Sequence, residues 1–422
     1  MTESQSTQSD AVIELTLTTM AHGGSAIGRH EGRAIFVPYA IPGERITARI
    51  TQDRGRFAYA EGITLLEASE ARVLPHCPHF GPKRCGGCHW QHIDYPAQLV
   101  FKQQVVSDQL IRIGGIAQPP VLPTIPSPSA WQYRSHVTLH VMPDGQIGFI
   151  GTDDQHIVPI QECHIIRPEL QELLESLNLE VLDGGLLSRI RLQVGTHSDD
   201  LLIALSTLDN MPPAIELDLP VSVSFLSEDE QPQALIGVGK VHYTVKGRNF
   251  QVTAGSFFQV NLALTEQLVD LVLEGLNLQG TENLLDLYSG VGLFTAFLAE
   301  RAAGVTAIEG FPTAVDDADA NLSDLSNVTL IEGLVEDVLP ELDESFDAVV
   351  LDPPRSGMEA PALDALAALA PAKIVYVSCD PATLARDAKR LIAKGYTLQT
   401  VQPLDMFPQT YHIECVALFT HA

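Results

Sequence analysis

Leu284-Leu-Asp-Leu-Tyr-Ser-Gly-Val-Gly292 is a short apolar run that ends in a glycine turn. The run has the length of a buried strand, and the glycines let the chain pass close to a ligand before a helix opens. Four similar runs follow it: Val305–Glu309, Val328–Ile331, Ala348–Asp352 and Ile374–Cys379. Helical segments lie between them, and a helix over 262–277 precedes them. Strands alternating with helices predict a parallel, doubly wound, Rossmann-like α/β sheet over the C-terminal part of the chain.

Ligands of such sheets bind at the carboxyl ends of the strands. There the sequence places Asp286 and Tyr288, then Glu309, then Asp352-Pro-Pro-Arg355, then Ser378-Cys379-Asp380-Pro381. Glu309 stands 23 residues after Asp286, the spacing of an acid that accepts hydrogen bonds from a ribose diol. Thr295 replaces the third glycine of a dinucleotide fingerprint, so glycines alone fit either a dinucleotide or S-adenosylmethionine. The Asp-Pro-Pro-Arg turn resembles the motif that several methyltransferases place beside the methyl donor, which tilts the choice to S-adenosylmethionine. Cys379 precedes a helix, whose N-terminus is expected to lower the thiol pKa and make a nucleophile. A strand is expected over His412–Phe419, with Glu414 facing His412's side and Cys415 packed on the other. A carboxylate inside that apolar run is costly to bury without a task, so Glu414 is a candidate general base.

Outward from this core, Val12 to Leu66 alternates with period two between glycine turns and predicts a small barrel of about five strands. Arginines at 29, 33, 45, 49, 54 and 56 suit either an oligonucleotide surface or an ordinary solvated one. A helix is expected over Tyr95–Ile113, a proline-rich connector over 116–128, and an α+β pattern over 131–250. Cys77, Cys85 and Cys88 cluster, and Cys163 gives a fourth thiol. Four thiolates suit an iron–sulfur cluster or zinc, and His76, His79, His89 and His92 keep zinc open.

The chain has 422 residues and a net charge of −28, which argues against a general nucleic-acid binder. Residues 254–422 carry 7 Lys and Arg against 25 Asp and Glu, whereas 1–115 are balanced at 11 each. Polyanion contacts are therefore expected from the N-terminal third and from local patches. No apolar run reaches the ~18 residues of a membrane span, and the first residues lack a signal-peptide pattern. The expectation is a cytoplasmic protein without membrane contact.

Together Ser256-Phe-Phe-Gln-Val-Asn261, Asp286–Gly292, Asp352–Arg355, Val377–Asp387 and Asp405-Met-Phe-Pro with His412-Ile-Glu414 resemble the RNA (uracil-C5)-methyltransferases that make 5-methyluridine. Gly23–Gly43 resembles that family's TRAM barrel, so the resemblance spans nearly the whole chain. It implies Cys379 as the nucleophile adding to uracil C6 and Glu414 as the base removing the C5 proton. It implies Gln259, Tyr288, Glu309 and Asp352 as binders of S-adenosyl-L-methionine, and Cys77, Cys85, Cys88 and Cys163 as ligands of a 4Fe–4S cluster. Phe257, Phe258 and Tyr411 become candidates to stack on a base that has left its stack.

The implied multidomain chain comprises a tail (1–11), a TRAM/OB-like barrel (12–68), a central iron–sulfur α+β domain (69–93 and 124–254) and a Rossmann-like class I methyltransferase domain (94–123 and 255–422). A monomer acting on RNA is expected, with 23S rRNA favoured over tRNA. An amino-group methyltransferase and a non-catalytic cluster-bearing RNA-binding protein are the remoter readings. Departures from the family pattern are Asp380 where Asn is frequent, Ser135-His136 where Asn-Lys is common, and Ser289 where Cys is frequent. The acidity implies either weak, salt-sensitive RNA binding or adaptation to a saline interior.

Overall fold

The computed structural model describes residues 12–177, 187–215, 219–229 and 231–421; the expected tail over 1–11 lies outside them. Strands β1 (Val12–Met20), β2 (Ala26–His30), β3 (Arg33–Val37), β4 (Arg45–Asp53) and β5 (Phe57–Glu67) close a barrel in the order β1-β2-β3-β5-β4. Alternation puts Ile13, Leu15 and Leu17 inside with Ile35, Val37, Ile46 and Ile50. Two of the six barrel arginines are already neutralised: Arg33 pairs with Asp53, and Arg45 with Glu14 and Glu67.

Helix α1 (Tyr95–Arg112) follows the cysteine-bearing loops and packs against the C-terminal unit through Val105, Val106 and Leu110. Next come β6 (His136–Val141), β7 (Ile147–Ile150), β8 (Ile157–Pro159), α2 (Pro168–Ser176), β9 (Leu187–Val194), β10 (Leu201–Thr207), β11 (Ser222–Leu226) and β12 (Pro232–Ile236). These strands form a seven-stranded sheet in the order β12-β11-β10-β9-β6-β7-β8. Helix α2 covers one face with Leu170, Leu173 and Leu174. The hairpin of β13 (Lys240–Val245) and β14 (Arg248–Thr253) buries Tyr243 and Phe250 against the C-terminal unit instead.

That unit runs α3 (Leu262–Leu276), β15 (Asn283–Leu287), α4 (Leu293–Ala299), β16 (Gly304–Glu309), α5 (Pro312–Leu322), β17 (Val328–Glu332), α6 (Val335–Val338), β18 (Ala348–Leu351), α7 (Ala360–Leu369), β19 (Lys373–Ser378), α8 (Pro381–Ala393), β20 (Tyr396–Leu404) and β21 (Glu414–His421). The sheet order is β17-β16-β15-β18-β19-β21-β20. The five expected strands pair in parallel, and β20 runs the same way; only β21 is reversed. The last strand inserts between β19 and β20 and is antiparallel to both.

This insertion corrects the reading of the last strand. It begins at Glu414, not His412; as an internal strand it is covered on both faces, and Glu414 and Cys415 are both buried, as the sequence reading expected. Cys415 is core, as expected. Barrel residues Met20 and Ile41 belong to the same buried cluster as Tyr376 and Cys415, which seats the barrel on the C-terminal unit.

Candidate active site

Five strand ends converge on one edge of this sheet. At the first, Tyr288 and Gly290 take left-handed backbone angles (φ +60° and +56°), and Gly292 (φ +86°) opens α4. The space in front of Gly290 is open: a Cβ built there meets no atom within 4 Å. Glu309 braces the turn, one carboxylate oxygen accepting from Gly290 N (2.8 Å) and the other from Phe311 N (2.8 Å). Tyr288 donates its hydroxyl to Glu336 at 2.6 Å.

Asp286 is fully buried behind the turn. Its Oδ2 accepts from Thr295 Oγ1 (2.5 Å), while Oδ1 has no partner among the described residues. Burial pushes its pKa up to about 7. Asp352 ends β18, is also raised by burial, and receives a 3.4 Å hydrogen bond from Gln259 Nε2. Gln259 is held by its own support: the buried Asp317 of α5 accepts from Thr253 N, Thr253 Oγ1 and Ser256 Oγ, fixing the segment that leads to residues 257–259.

The nucleophile candidate and the base candidate meet through topology. In the antiparallel pair β19/β21, Val377 faces Val416 and Ser378 faces Cys415. One step further places Cys379 beside Glu414. Burial, with the Asp352 carboxylate adding to it, holds Glu414 well above the usual carboxylate range, while Arg355 acts against both. Its Oε1 is buried without a partner among the described residues.

Cys379 departs from expectation. Burial pushes its thiol up to about 12, Glu414 and Asp352 push the same way, and Arg355 opposes them. The α8 N-terminus does not lower it, because the N–H groups of Ala382 and Thr383 donate to Asp380 Oδ1 (2.8 and 3.0 Å). Asp380 is the N-cap, and its carboxylate takes the donors a thiolate would have used. The thiol is therefore protonated at neutral pH in the ligand-free enzyme.

The aromatic candidates separate. Phe257 is 60% exposed, whereas Phe258 is 2% exposed and stacked on Tyr243 (centroids 4.5 Å, 10° between planes). Phe258 is core and is not available to a base. Tyr411 is half-buried against His89 and His412. Ser135 is fully buried, and burial pushes His136 well below the ordinary imidazole value.

Sequence reading missed Lys102. Its ammonium is fully buried and donates to Asp405 Oδ1 (2.5 Å), His412 O (2.8 Å) and Phe407 O (3.1 Å). It thereby pins the segment that leads into Glu414. A signal was present: Lys102 lies on the same helix stripe as Leu99 and Val106, where a lysine needs a partner.

The four cysteines Cys77, Cys85, Cys88 and Cys163 are unbonded and line one cavity with His79, His164 and Arg134. Burial raises all four thiols, Cys85 to about 11. Among the described residues no three His, Cys, Asp or Glu converge as ligands of a single ion must. A zinc site with Zn–S near ~2.3 Å would need thiolates within about 4 Å of one another. His92 packs on Phe80 and Tyr39, and His89 on Tyr411, outside this cavity's lining.

The strand order, the glycine turn and the acidic strand ends define a nucleotide-cofactor enzyme of the methyltransferase kind. Residues 239–422 match the tRNA (uracil-5-)-methyltransferase family, and residues 9–63 match the TRAM domain. An RNA methyltransferase of Streptomyces avermitilis is 36% identical over 97% of this chain and 98% of its own length. The 23S rRNA (uracil(1939)-C5)-methyltransferase of Pectobacterium carotovorum is 35% identical over 97% of this chain and 94% of its own. The crystal structure of the Pyrococcus abyssi tRNA (uracil-54, C5)-methyltransferase with S-adenosyl-L-homocysteine has a TM-score of 0.76 and 28% identity, covering 97% of this chain and 100% of that one. The chain belongs to the RNA (uracil-C5)-methyltransferase family and is an S-adenosylmethionine-dependent methyltransferase. Among the described residues, no helix is long and apolar enough to cross a membrane.

Proposed function

We propose that this enzyme methylates C5 of a uridine in 23S rRNA through a covalent Cys379 adduct. The observation that carries the reading is the meeting of Cys379 and Glu414 at the carboxyl edge of the sheet, beside Asp352. Uracil C5 is a weak nucleophile. The Cys379 thiol loses its proton to solvent, the thiolate adds to C6, and the π electron pair of the C5–C6 bond moves toward O4, which makes C5 an enolate carbon. S-adenosylmethionine, when bound, supplies the electrophilic methyl group. Glu414, as carboxylate, takes the C5 proton, and the electrons of that C–H bond expel the Cys379 thiolate from C6. Arg355 is the neighbouring charge that favours the thiolate.

The residues suit the cofactor. Glu309 is a ribose-diol acceptor at the second strand end, and the open space before Gly290 admits a ligand against the backbone. Asp352, Gln259 and Tyr288 border the same edge. Phe257, exposed and next to this segment, is the stacking surface for the target base.

The four-cysteine cavity is read as the seat of a 4Fe–4S cluster. Four half-buried thiols lining one cavity supply the four thiolates that a cubane takes. The test is iron and acid-labile sulfide content, with the visible spectrum, of anaerobically purified protein and of Cys163→Ser. Four irons and four sulfides per chain, lost in the variant, support the cluster; zinc in their place overturns it. The same reading groups α1 with the C-terminal unit and the cysteine loops with the central sheet.

Nucleoside mass spectrometry tests the function. The protein is incubated with S-adenosylmethionine and, separately, unmodified 23S rRNA and tRNA. A 5-methyluridine peak from 23S rRNA, absent with Cys379→Ala, is expected. The peak from tRNA alone would move the substrate to that RNA, the reading favoured by the Pyrococcus structure's fold match. A methylated adenosine or guanosine would overturn the chemistry.

A further inference from the structure

The turn joining the first two barrel strands is only partly open to solvent: Gly23 is exposed, His22 is half-buried, and Ala21 and Gly24 are buried. Ala21 N donates to Ser25 O (2.8 Å) and Gly24 N to Ala21 O (3.1 Å), which closes it tightly. Trp90 Nε1 donates to Gly24 O (3.1 Å), and a Cβ at Gly24 (φ +86°) would stand 2.9 Å from Tyr411 Cδ1. The barrel therefore rests against the segment that leads to Glu414. The same turn carries His22, whose Nε2 lies 3.3 Å from Asp380 Oδ2.

Asp380 is the residue after Cys379, and its two oxygens do different things. Oδ1 caps α8, and Oδ2 faces the barrel. Burial works to raise this carboxyl, yet the His22 contact and the Thr383 and Ala382 N–H groups hold it down at about 2. Ser378 Oγ donates to Asp380 O (3.0 Å), so the three residues around the nucleophile form one braced unit whose outer brace comes from the barrel.

We propose that His22 is a positioning residue for the nucleophile: the barrel turn fixes Asp380, and through it the Cys379 backbone, so the barrel is part of the active-site frame. The proposal rests on Cys379 being the nucleophile.

The experiment uses the RNA that the parent enzyme methylates, transcribed with 5-fluorouridine, which blocks release after methyl transfer. Covalent protein–RNA complex is followed on denaturing gels at saturating RNA and cofactor. RNA affinity is measured separately by filter binding. His22→Ala should form the complex about tenfold more slowly or worse, as small misplacements of a reacting group do, with RNA affinity unchanged. His22→Gln, which puts an amide nitrogen where Nε2 stands, should recover most of the rate, and His22→Asn, which cannot reach, should not. Asp380→Ala combined with His22→Ala should lose no more than the worse single variant. Should His22→Ala fail to fold, the Gln-over-Asn order is the test. An unchanged rate, weakened RNA binding with an intact saturated rate, or Gln no better than Asn would overturn the proposal while leaving the Cys379 chemistry standing. Absence of the complex in the parent enzyme would overturn both.

Discussion

Lys102→Met removes the cation of a fully buried ion pair while keeping an unbranched stem of similar length. Lys102 Nζ and Asp405 are both fully buried, 2.5 Å apart, and the two other ammonium protons go to His412 O and Phe407 O. Burial lowers the lysine pKa and Asp405 acts against that, as expected of a pair sustained by its own attraction. Methionine fills the volume, so the cavity cost is small. What remains is a buried carboxylate without its partner, which costs about 3–5 kcal/mol when one member of such a pair is deleted. The assay is urea unfolding followed by tryptophan fluorescence, because Trp90 lies 5.9 Å from the ammonium and reports this region. The chain has several units, so the transition that moves Trp90 is the one compared. Lys102→Met/Asp405→Leu should recover at least half of the loss, since an apolar pair removes the uncompensated charge. A single variant within about 1 kcal/mol of the parent, or a double variant no better than the single, would refute the reasoning.

The remaining predictions concern the strand ends. Iodoacetamide labelling of Cys379, read by peptide mass spectrometry, should be slow at pH 8 and rise toward pH 12, because burial pushes the thiol up to about 12; Arg355→Ala should slow it further by removing the charge that favours the thiolate. Asp286 has its folded pKa raised from 3.8 to about 7, so its contribution to stability is present below pH 4 and lost as pH rises through 7. Asp286→Asn should flatten stability against pH in that window, by up to about 4 kcal/mol; an unchanged slope would contradict the assignment. Phe257→Ala should cut methylation with the unfolding midpoint unmoved, whereas Phe258→Ala should cost about 3–5 kcal/mol of stability. The reverse order would interchange their roles.

The apolar runs at 284–287, 305–309, 348–352 and 374–378 were legible because buried parallel strands carry no polar face, whereas 328–331 lies in the half-exposed edge strand β17. The order of the last two strands was not, since periodicity says which face is buried and nothing about which neighbour a strand takes. That order decides the site: the antiparallel entry of Glu414–His421 beside Lys373–Ser378 brings a residue 35 positions downstream to Cys379. The thiol was misread for a local reason that the sequence did contain. Asp380-Pro381 after the cysteine is a capping signal, and a capped helix end has no free N–H groups for a thiolate. Lys102 and His22 find their partners 303 and 358 residues away, and no local pattern encodes such pairs.

The acidity of the strand ends separates two cofactors that the glycine turn alone did not. Asp286, Glu309, Asp352 and Glu414 crowd one edge; burial raises three of them, and Asp352 further raises both Asp286 and Glu414. A dinucleotide would bring a pyrophosphate to this edge and add negative charge to carboxyls that already resist ionising together. A sulfonium brings a positive charge instead, which favours the carboxylate forms of Asp352 and Glu414. Under the proposed mechanism, burial and Asp352 favour the neutral form of Glu414, and the cofactor's positive charge works against them, toward the carboxylate that accepts the C5 proton. The same charge favours the thiolate of Cys379, whose own carboxylate neighbours oppose it.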